Sequence, residues 1–558
     1  MLPRLTPNVR YKEQLKTATV RDFSGGWNVL DDDLNLSSKY APKLYNCYYS
    51  VESRIDIRYG TSLFVATSIA LSTASDLINA EYFGEYIIAV YANGEIVRIG
   101  ADSSIERIWD QFIAAGLPDA PAGWSTTSFV SFAQFNGELI ICNGIDKPLI
   151  IHANYTVEYL NDVATGSNLN VPIARYVVAC NRFLCMAGDP AYPNRVHISA
   201  RDTSGTWYGD PPPNDATYID VGSVIPNGNI IRGITPFRDR LIVGYAEGSI
   251  IGQLGIYTDE AHTPNFDDGV PEYGAVSHRS FVNYGDDVLL MDRVGVSSLK
   301  RTTFTGTIKP ERVSDLVDPE IAAELDDYPY EILEDRVFAV FNQREGQFMF
   351  FVPNASTIED TTETIGYVFN YRPSLGVTAW ARFDGWNWVC AVRTGQNNIF
   401  FGDRSGHFWL YGSKQNPITE DFVGDITRNG GVGTPISFTW ELPWLDFGKR
   451  AKSKSSRFIS FDTRGRARFT CKMYIDRYMT SYGGADAPAL STEFVGGDTN
   501  GFGNNPQPYG GGRNTSNELL YAWPSKFQLC KLQFTGEATG GLSFSSITMH
   551  YLDGGINR

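Results

Sequence analysis

The sequence predicts an all-β protein: a β-propeller of about six to eight blades followed by a C-terminal β-sandwich-like domain. Three observations carry this. Apolar runs broken by tight polar turns recur through the middle of the chain at intervals of roughly 45–57 residues. Aromatic residues reach 13% and stand beside 54 glycines. Tyr, Phe and Trp suit a half-buried pleated surface, and glycine supplies positive-φ turn positions. Helical patterns are scarce. At 558 residues the chain exceeds one ordinary domain and can bury a large core without metals or disulfides.

Five units share one design: Glu81–Gly100, Phe129–His152, Ala174–Ser199, Ile230–Gly255 and Arg279–Leu299. In each, an apolar strand meets a polar turn: Gly84-Glu85, Asn136-Gly137, Asn181-Arg182, Arg238-Asp239 or Gly285-Asp286. A strongly apolar strand follows, such as Tyr86–Tyr91 or Leu139–Cys142, and a second turn feeds a third strand, such as Glu95–Ile99 or Pro148–His152. Turn residues between apolar runs are the hairpin signal. Two looser units follow at Phe338–Val392 and Asn398–Gly412. Similar hairpins would also suit a stacked sandwich. Edge management favours the propeller, because radial packing covers both faces of every unit and leaves only short edges.

The propeller is expected over residues 76–412. Residues 1–75 read as a separate polar segment whose stretch Arg58–Ala66 could enter the propeller as a strand. Two short helices are expected as inserts. One is Ile105–Ala115; the other is Val317–Leu325, with Asp318 as N-cap and Pro319 at the first helical position. Residues 413–558 read as the sandwich-like domain, interrupted by a Gly-, Asn- and Pro-rich surface loop over 482–517.

Little in the chain points to catalysis. The six histidines show no HxxxH or HExxH spacing, so no metal site is expected. No nucleophile elbow or phosphate-binding P-loop is present, and no cofactor is expected. The acidic pairs Asp267-Asp268, Asp286-Asp287 and Asp326-Asp327 read as solvated turns, since adjacent strand residues point to opposite faces. The aromatic clusters Trp380–Trp388 and Phe408-Trp409 suit blade-to-blade packing, and exposed copies would suit sugar stacking. Seven cysteines without a CxxC pair read as reduced, buried thiols of a protein made in the cytosol. No apolar run is long enough for a membrane-spanning helix, and Met1–Lys16 is polar, unlike a secretory signal.

The clearest charge feature is basic. The net charge is −16, yet Lys449–Arg477 holds ten Lys or Arg against Asp462 and Asp476. Lys449, Arg450, Lys452, Lys454, Arg457, Arg464, Arg466 and Arg468 are the candidate interface or DNA-facing residues. If the stretch is extended, Arg464, Arg466 and Arg468 share one face of one strand. A solvated strand face is the plainer reading of the same charges.

Specific motifs resemble one family. Phe23-Ser24-Gly25-Gly26-Trp27-Asn28, then Ala41-Pro42 with Asn46, then Arg58-Tyr59-Gly60 resemble the N-terminal pattern of hub and nozzle proteins of short-tailed bacteriophage tails. Tyr59 stands where that family often has Pro. Val313–Ile321 (VSDLVDPEI) and Trp444–Lys449 (WLDFGK) also resemble segments of this group, the tail tubular and packaged-DNA stabilisation proteins. The resemblance implies a propeller-based, non-enzymatic virion protein that forms rings of six copies. Such a ring attaches below the portal and adaptor, neighbours the tail fibres or spikes, retains double-stranded DNA and conducts it without reading its sequence. It assigns no catalytic residue here. The competing expectations are a carbohydrate-binding or carbohydrate-cleaving propeller, and a cellular scaffold propeller, which the missing Trp-Asp repeat disfavours.

Overall fold

The computed structural model describes residues 15–66, 75–110, 124–125, 128–161, 170–208, 215–221, 230–237, 240–246, 248–253, 265–271, 273–285, 287–301, 308–354, 363–418, 421–423, 432–448, 450, 452–464, 467–475, 490–496, 517–538 and 541–556. These residues fall into two units. One comprises Met1–Tyr59, Asn370–Ala381 and Thr434–Arg558; the other comprises Gly60–Phe369 and Arg382–Gly433.

The second unit is a β-propeller with seven blades among the described residues. The first five are four-stranded antiparallel sheets whose strands follow chain order. They begin at Leu77–Phe83, Ser131–Phe135, Tyr176–Cys180, Gly233–Phe237 and Phe281–Tyr284. The sixth begins at Phe338–Asn342 and the seventh at Trp388–Arg393. These first strands neighbour one another in sequence around a ring, and that of the seventh blade returns to that of the first.

The ring is closed by a strand from early in the chain. Thr61–Ala66 pairs antiparallel with His407–Tyr411, setting Val65 opposite Phe408. It completes the seventh blade after Trp388–Arg393, Ile399–Asp403 and His407–Tyr411. Backbone hydrogen bonds therefore tie the two ends of the propeller sequence together.

Turn chemistry explains the hairpins. Phe83 faces Tyr86, Phe135 faces Glu138 and Cys180 faces Phe183, leaving two-residue connections. Asn136 and Gly137 have φ of 51° and 82°, and Asn181 and Arg182 have 45° and 73°. Positive φ at both central residues is the type I′ pattern, whose twist matches that of the flanking strands. The turn residues Arg238, Asp239 and Asp286 lie outside the described residues.

Burial explains why the second strands read as continuous apolar runs. Ile88 and Val90 of the first blade and Leu139, Ile141 and Ile151 of the second share one buried cluster with Trp109. Ile87, Ala89 and Tyr91, on the opposite face, pack with Cys390, Phe400 and Phe408 of the seventh blade. A strand covered on both faces has no polar side, and each such Ile or Leu contributes about 1.5–3 kcal/mol.

The other unit is a two-sheet sandwich. Lys43–Tyr45, Ile436–Glu441, Cys530–Ala538, Ala467–Ile475 and Leu490–Gly496 lie side by side in one sheet. The second sheet holds Asn517–Phe527, Lys452–Arg464, Ser543–Ile556, Ile55–Ile57 and Cys47–Tyr49, with Lys16–Val20 on Ser543–Ile556. Aromatic rings fill the space between them. Phe534 lies 5.0 Å from Trp440 within its own sheet, and 5.5 Å from Phe461 and 5.4 Å from Phe544 across the gap.

Several expectations are corrected. Residues 1–75 are not a separate segment: the described residues up to Tyr59 build the sandwich, and the propeller runs from Gly60 to Gly433 around the insertion Asn370–Ala381. Ile105–Trp109 is the outer strand of the first blade rather than a helix, and 111–115 lies outside the described residues. The second helix is present as Asp318–Asp326 (α1), but Val317 rather than Asp318 holds the cap position. A further helix, Tyr330–Arg336 (α2), was not anticipated. Within the expected 482–517 loop, Leu490–Gly496 is a strand paired with Ala467–Met473. The remainder of that loop up to 516 lies outside the described residues. No helix among the described residues is long and apolar enough to cross a membrane.

All seven cysteines are free and buried. Burial pushes the Cys390 thiol up to about 12, and the reactive species is the thiolate. A thiol-specific reagent at pH 8 is therefore expected to label almost none of the seven in the folded protein and all of them in denaturant. Rapid native labelling of several would contradict the buried placement.

Candidate functional site

The VSDLVDPEI motif seats the two helices between the fifth and sixth blades. The Ser314 Oγ accepts the Val296 N–H at 2.6 Å and reaches the Asp318 carboxylate. Arg312 donates from Nη1 to both Asp292 carboxylate oxygens, at 2.9 and 3.0 Å. Gly295 is required here, because a Cβ would lie 2.0 Å from Asp318 Oδ1. Glu320 of α1 pairs with Arg382 at 2.7 Å. Pro329 precedes α2 in extended backbone, and Leu333 of α2 is buried.

α2 lies across one end of the propeller axis. Glu334 pairs with Arg175 at 2.6 Å and Arg232 at 2.8 Å, and the buried Tyr176 hydroxyl donates to it. Asp335 pairs with Arg175 at 2.6 Å, and the Ser277 hydroxyl donates to the Glu334 carbonyl at 2.9 Å. The buried Arg279 guanidinium donates to the carbonyls of Val389 (3.0 Å), Ile78 (3.4 Å) and Asp335. It also lies 5.8 Å from the rings of Phe129 and Phe338. Ile78, Phe129, Arg175, Arg232, Ser277, Phe338 and Val389 belong to the starts of the seven blades in turn, so the α2–Arg279 network ties every blade at this end. Burial, then the positive charge of Arg279, lowers His278 to about 3, so its ring is neutral near pH 7. Burial also lowers Arg279 itself, to about 10.

Arg279 also lines a cavity of about 200 Å³, with Asn79, Glu81, Ser131 and His278 among others. Glu81 is the one carboxylate among its lining residues. Gln134 donates to it at 3.3 Å, and burial lifts its pKa to about 7. A lone carboxylate does not supply the acid and nucleophile or base that glycoside hydrolysis needs. The raised value means the folded state holds a proton that the unfolded chain releases above about pH 4.5. Glu81 therefore lowers stability as pH rises from about 4.5 through 7. The Glu81→Gln variant is expected to remove this slope, gaining on the order of 2 kcal/mol on the parent at pH 8 and almost nothing at pH 4.5. Urea unfolding at the two pH values measures it, and parallel curves would contradict it.

Of the acidic pairs, the described Asp287, Asp326 and Asp327 do not line this cavity. Asp287 accepts from Ser298 Oγ at 2.8 and 2.7 Å, and Asp326 and Asp327 end α1. Asp286 and the side chains of Asp267 and Asp268 lie outside the described residues. Trp380, Trp386, Trp388 and Phe408 are buried, which places most of the aromatic clusters in the core. Among the described residues no group of three His, Cys, Asp or Glu side chains could hold a metal ion.

The basic stretch is not one stripe. Lys452–Arg464 and Ala467–Ile475 are separate strands in opposite sheets of the sandwich, so Arg464 ends one strand and Arg468 opens the next. The first strand pairs with Asn517–Phe527 and Ser543–Ile556, and the second with Cys530–Ala538. Arg450 and Arg457 are exposed and Lys452 is half-buried. Lys454 is 1% exposed and donates to the carbonyls of Gln528 (2.8 Å) and Lys452 (3.2 Å), which removes it from any docking face. Lys449, Arg466 and the side chains of Arg464 and Arg468 lie outside the described residues.

The remaining motifs are joints of the sandwich. Gly26 has φ of 66°, and a Cβ there would lie 2.7 Å from that of Ala379. Trp27 is fully buried and donates to Pro42 O at 3.1 Å. Buried Arg58 donates to the Asn46 side chain at 2.9 Å, and Asn46 donates to Ser437 O at 2.9 Å. In WLDFGK, Trp444 N–H donates to Asp33 O at 3.2 Å, and Phe447 stacks on Tyr551 at 5.2 Å.

No protein-family profile matches the sequence, and no curated protein is significantly similar to it. Among solved structures the chain is similar to PorZ, a surface component of the type-IX secretion system of Porphyromonas gingivalis. The match has 12% identity and a TM-score of 0.39, and covers 67% of this chain and 42% of PorZ. It is also similar to YCF48 bound to D1 peptide (9% identity, TM-score 0.35, 62% and 96% covered). The WD40 β-propeller domain of Doa1 is a third (8%, 0.34, 64% and 99%). The chain thus spans less than half of PorZ. The fold rests on the blade topology described above, and it is that of a β-propeller.

Proposed function

We propose that this chain is a structural subunit of the tail of a short-tailed bacteriophage, forming a six-membered hub or nozzle ring that retains packaged DNA and conducts it at ejection. The observation that carries this reading is the set of three motifs resembling those of tail hub and nozzle proteins. Their residues are architectural: Gly26, Trp27, Asn46 and Arg58 join the sandwich, and Ser314 and Asp318 seat the helix pair. Because α2 and Arg279 cross the propeller axis, DNA would pass between copies around a shared lumen and not through any one propeller. The net charge of −16 per chain suits a lumen that repels phosphate and lets a duplex slide. Adaptor-side tail proteins and fibres or spikes would contact the outer faces, with exposed Arg450 and Arg457 as candidate contacts.

Light scattering with negative-stain imaging tests the reading. The expected particle is a ring of about six 61.9-kDa chains with a central opening, closed by cyclic symmetry. A persistent monomer that instead binds host capsule or lipopolysaccharide, or releases reducing ends from it, would overturn the reading in favour of a surface-glycan propeller.

A further inference from the structure

Beside α2, at the same end of the axis, is a second cavity of about 330 Å³, lined by Asp76, Leu77, Ile332, Asp335, Arg336 and Arg404 among others. Its charges are unevenly matched. Asp76 pairs with Arg404 at 3.0 Å, and Asp335 is held by Arg175 at 2.6 Å. Glu334 is shared by Arg175 and Arg232. The Arg336 guanidinium, at the last residue of α2, makes no hydrogen bond or ion pair with a side chain among the described residues. It is partly buried, and burial followed by repulsion from Arg404 lowers its pKa, outweighing the attraction of Asp335 and Asp76. A half-desolvated guanidinium beside a second one, with the neighbouring carboxylates already engaged, is an incomplete charge arrangement. Leu77, Ile332 and Val389 add an apolar wall, as small-molecule sites generally have.

We propose that this cavity is an anion site that takes one carboxylate or phosphate group of a small ligand between Arg336 and Arg404. The planar fork of Arg336 donates two parallel hydrogen bonds to the oxyanion, Arg404 adds positive charge while keeping Asp76, and the ligand's carbon skeleton lies against Leu77 and Ile332. The site is independent of the tail reading and stands or falls separately from it.

Calorimetric titration of the full chain with inorganic phosphate and, separately, with glutarate tests the site. Binding of at least one probe at one site per chain is expected, and the stronger probe identifies the preferred oxyanion. Arg336→Met is expected to weaken binding by about tenfold or more, and Arg336→Lys by less, since Lys keeps the positive charge but not the planar bidentate fork. In the unmodified protein, the bound probe is expected to slow reaction of Arg336 with phenylglyoxal and leave exposed Arg457 unaffected, which requires no variant to fold. Absence of binding by both probes at about 10 mM, equal affinity in Arg336→Met, or equal protection of Arg336 and Arg457 would overturn the proposal.

Discussion

Glu334→Ala is expected to destabilise the propeller by about 3–5 kcal/mol, the range for removing one partner from a buried ion pair. The carboxylate is 6% exposed and receives Arg175, Arg232 and the Tyr176 hydroxyl. Its loss leaves a buried hydroxyl and the Arg232 guanidinium without their close acceptor, since among the described residues the other carboxylate paired with Arg232 is Glu331, at 3.9 Å. Arg175 keeps Asp335, which places the cost nearer the lower end of the range. Glu334→Gln keeps the shape and one acceptor oxygen and is expected to cost less. Amide hydrogen exchange localises the effect: α2 amides are expected to exchange about 100-fold faster in Glu334→Ala, while amides of Tyr86–Tyr91 change far less. Unchanged protection of α2 would mean that apolar packing of Leu333, not the ion network, holds the helix across the axis.

This network was almost illegible in the sequence, although its scaffold was not. The second strands were readable because burial on both faces leaves uninterrupted apolar runs, and the hairpins because their turns need Gly or Asn at positive φ. The outer strands of the first five blades escaped notice, whereas that of the seventh, Thr61–Ala66, lies within the stretch Arg58–Ala66 expected to enter the propeller. Ile105–Trp109 buries only its last residue fully, and a mostly exposed edge carries little hydrophobic signal. The sandwich was misdivided for a different reason: its short N-terminal strands pair with partners roughly 400–500 residues away. Lys43–Tyr45 with Ile436–Glu441 is one such pair, and no local pattern encodes it. The axial site draws Arg175, Arg232, Arg279 and Glu334 from four separate stretches, each of which reads as an ordinary charged residue beside a strand. The one usable signal was the Ser314–Asp318 motif, which marks where the helix pair begins but not where its second helix lies. Alternation misled at Arg464 and Arg468, because the two residues belong to separate strands in opposite sheets, which share no face.

Val65→Asp is expected to have the largest effect of a single substitution in the propeller's closing strand. Val65 is 7% exposed and packs in the cluster that joins the seventh and first blades, with Leu77, Val97, Phe400 and Phe408. A carboxylate there must either stay ionised without a nearby partner or fold only when protonated. Either route costs several kcal/mol, about 4 or more, whereas Val65→Ala loses only methyl groups and should cost about 2 kcal/mol. The position amplifies the effect. An interior blade is held by chain connections on both sides, but the seventh blade reaches its outer strand only by pairing His407–Tyr411 with Thr61–Ala66. Once that strand detaches, the inner contact between Trp388–Arg393 and Leu77–Phe83 must close the ring alone. The expected result is a soluble but loosened protein at low temperature. Its amides in Trp388–Arg393 and Leu77–Phe83 would lose protection together, while those of Tyr176–Cys180, on the far side of the ring, are retained longer. Uniform loss of protection in all blades would show that closure and blade packing form one cooperative unit. Selective loss at the seam would show that the propeller opens where the early strand holds it shut.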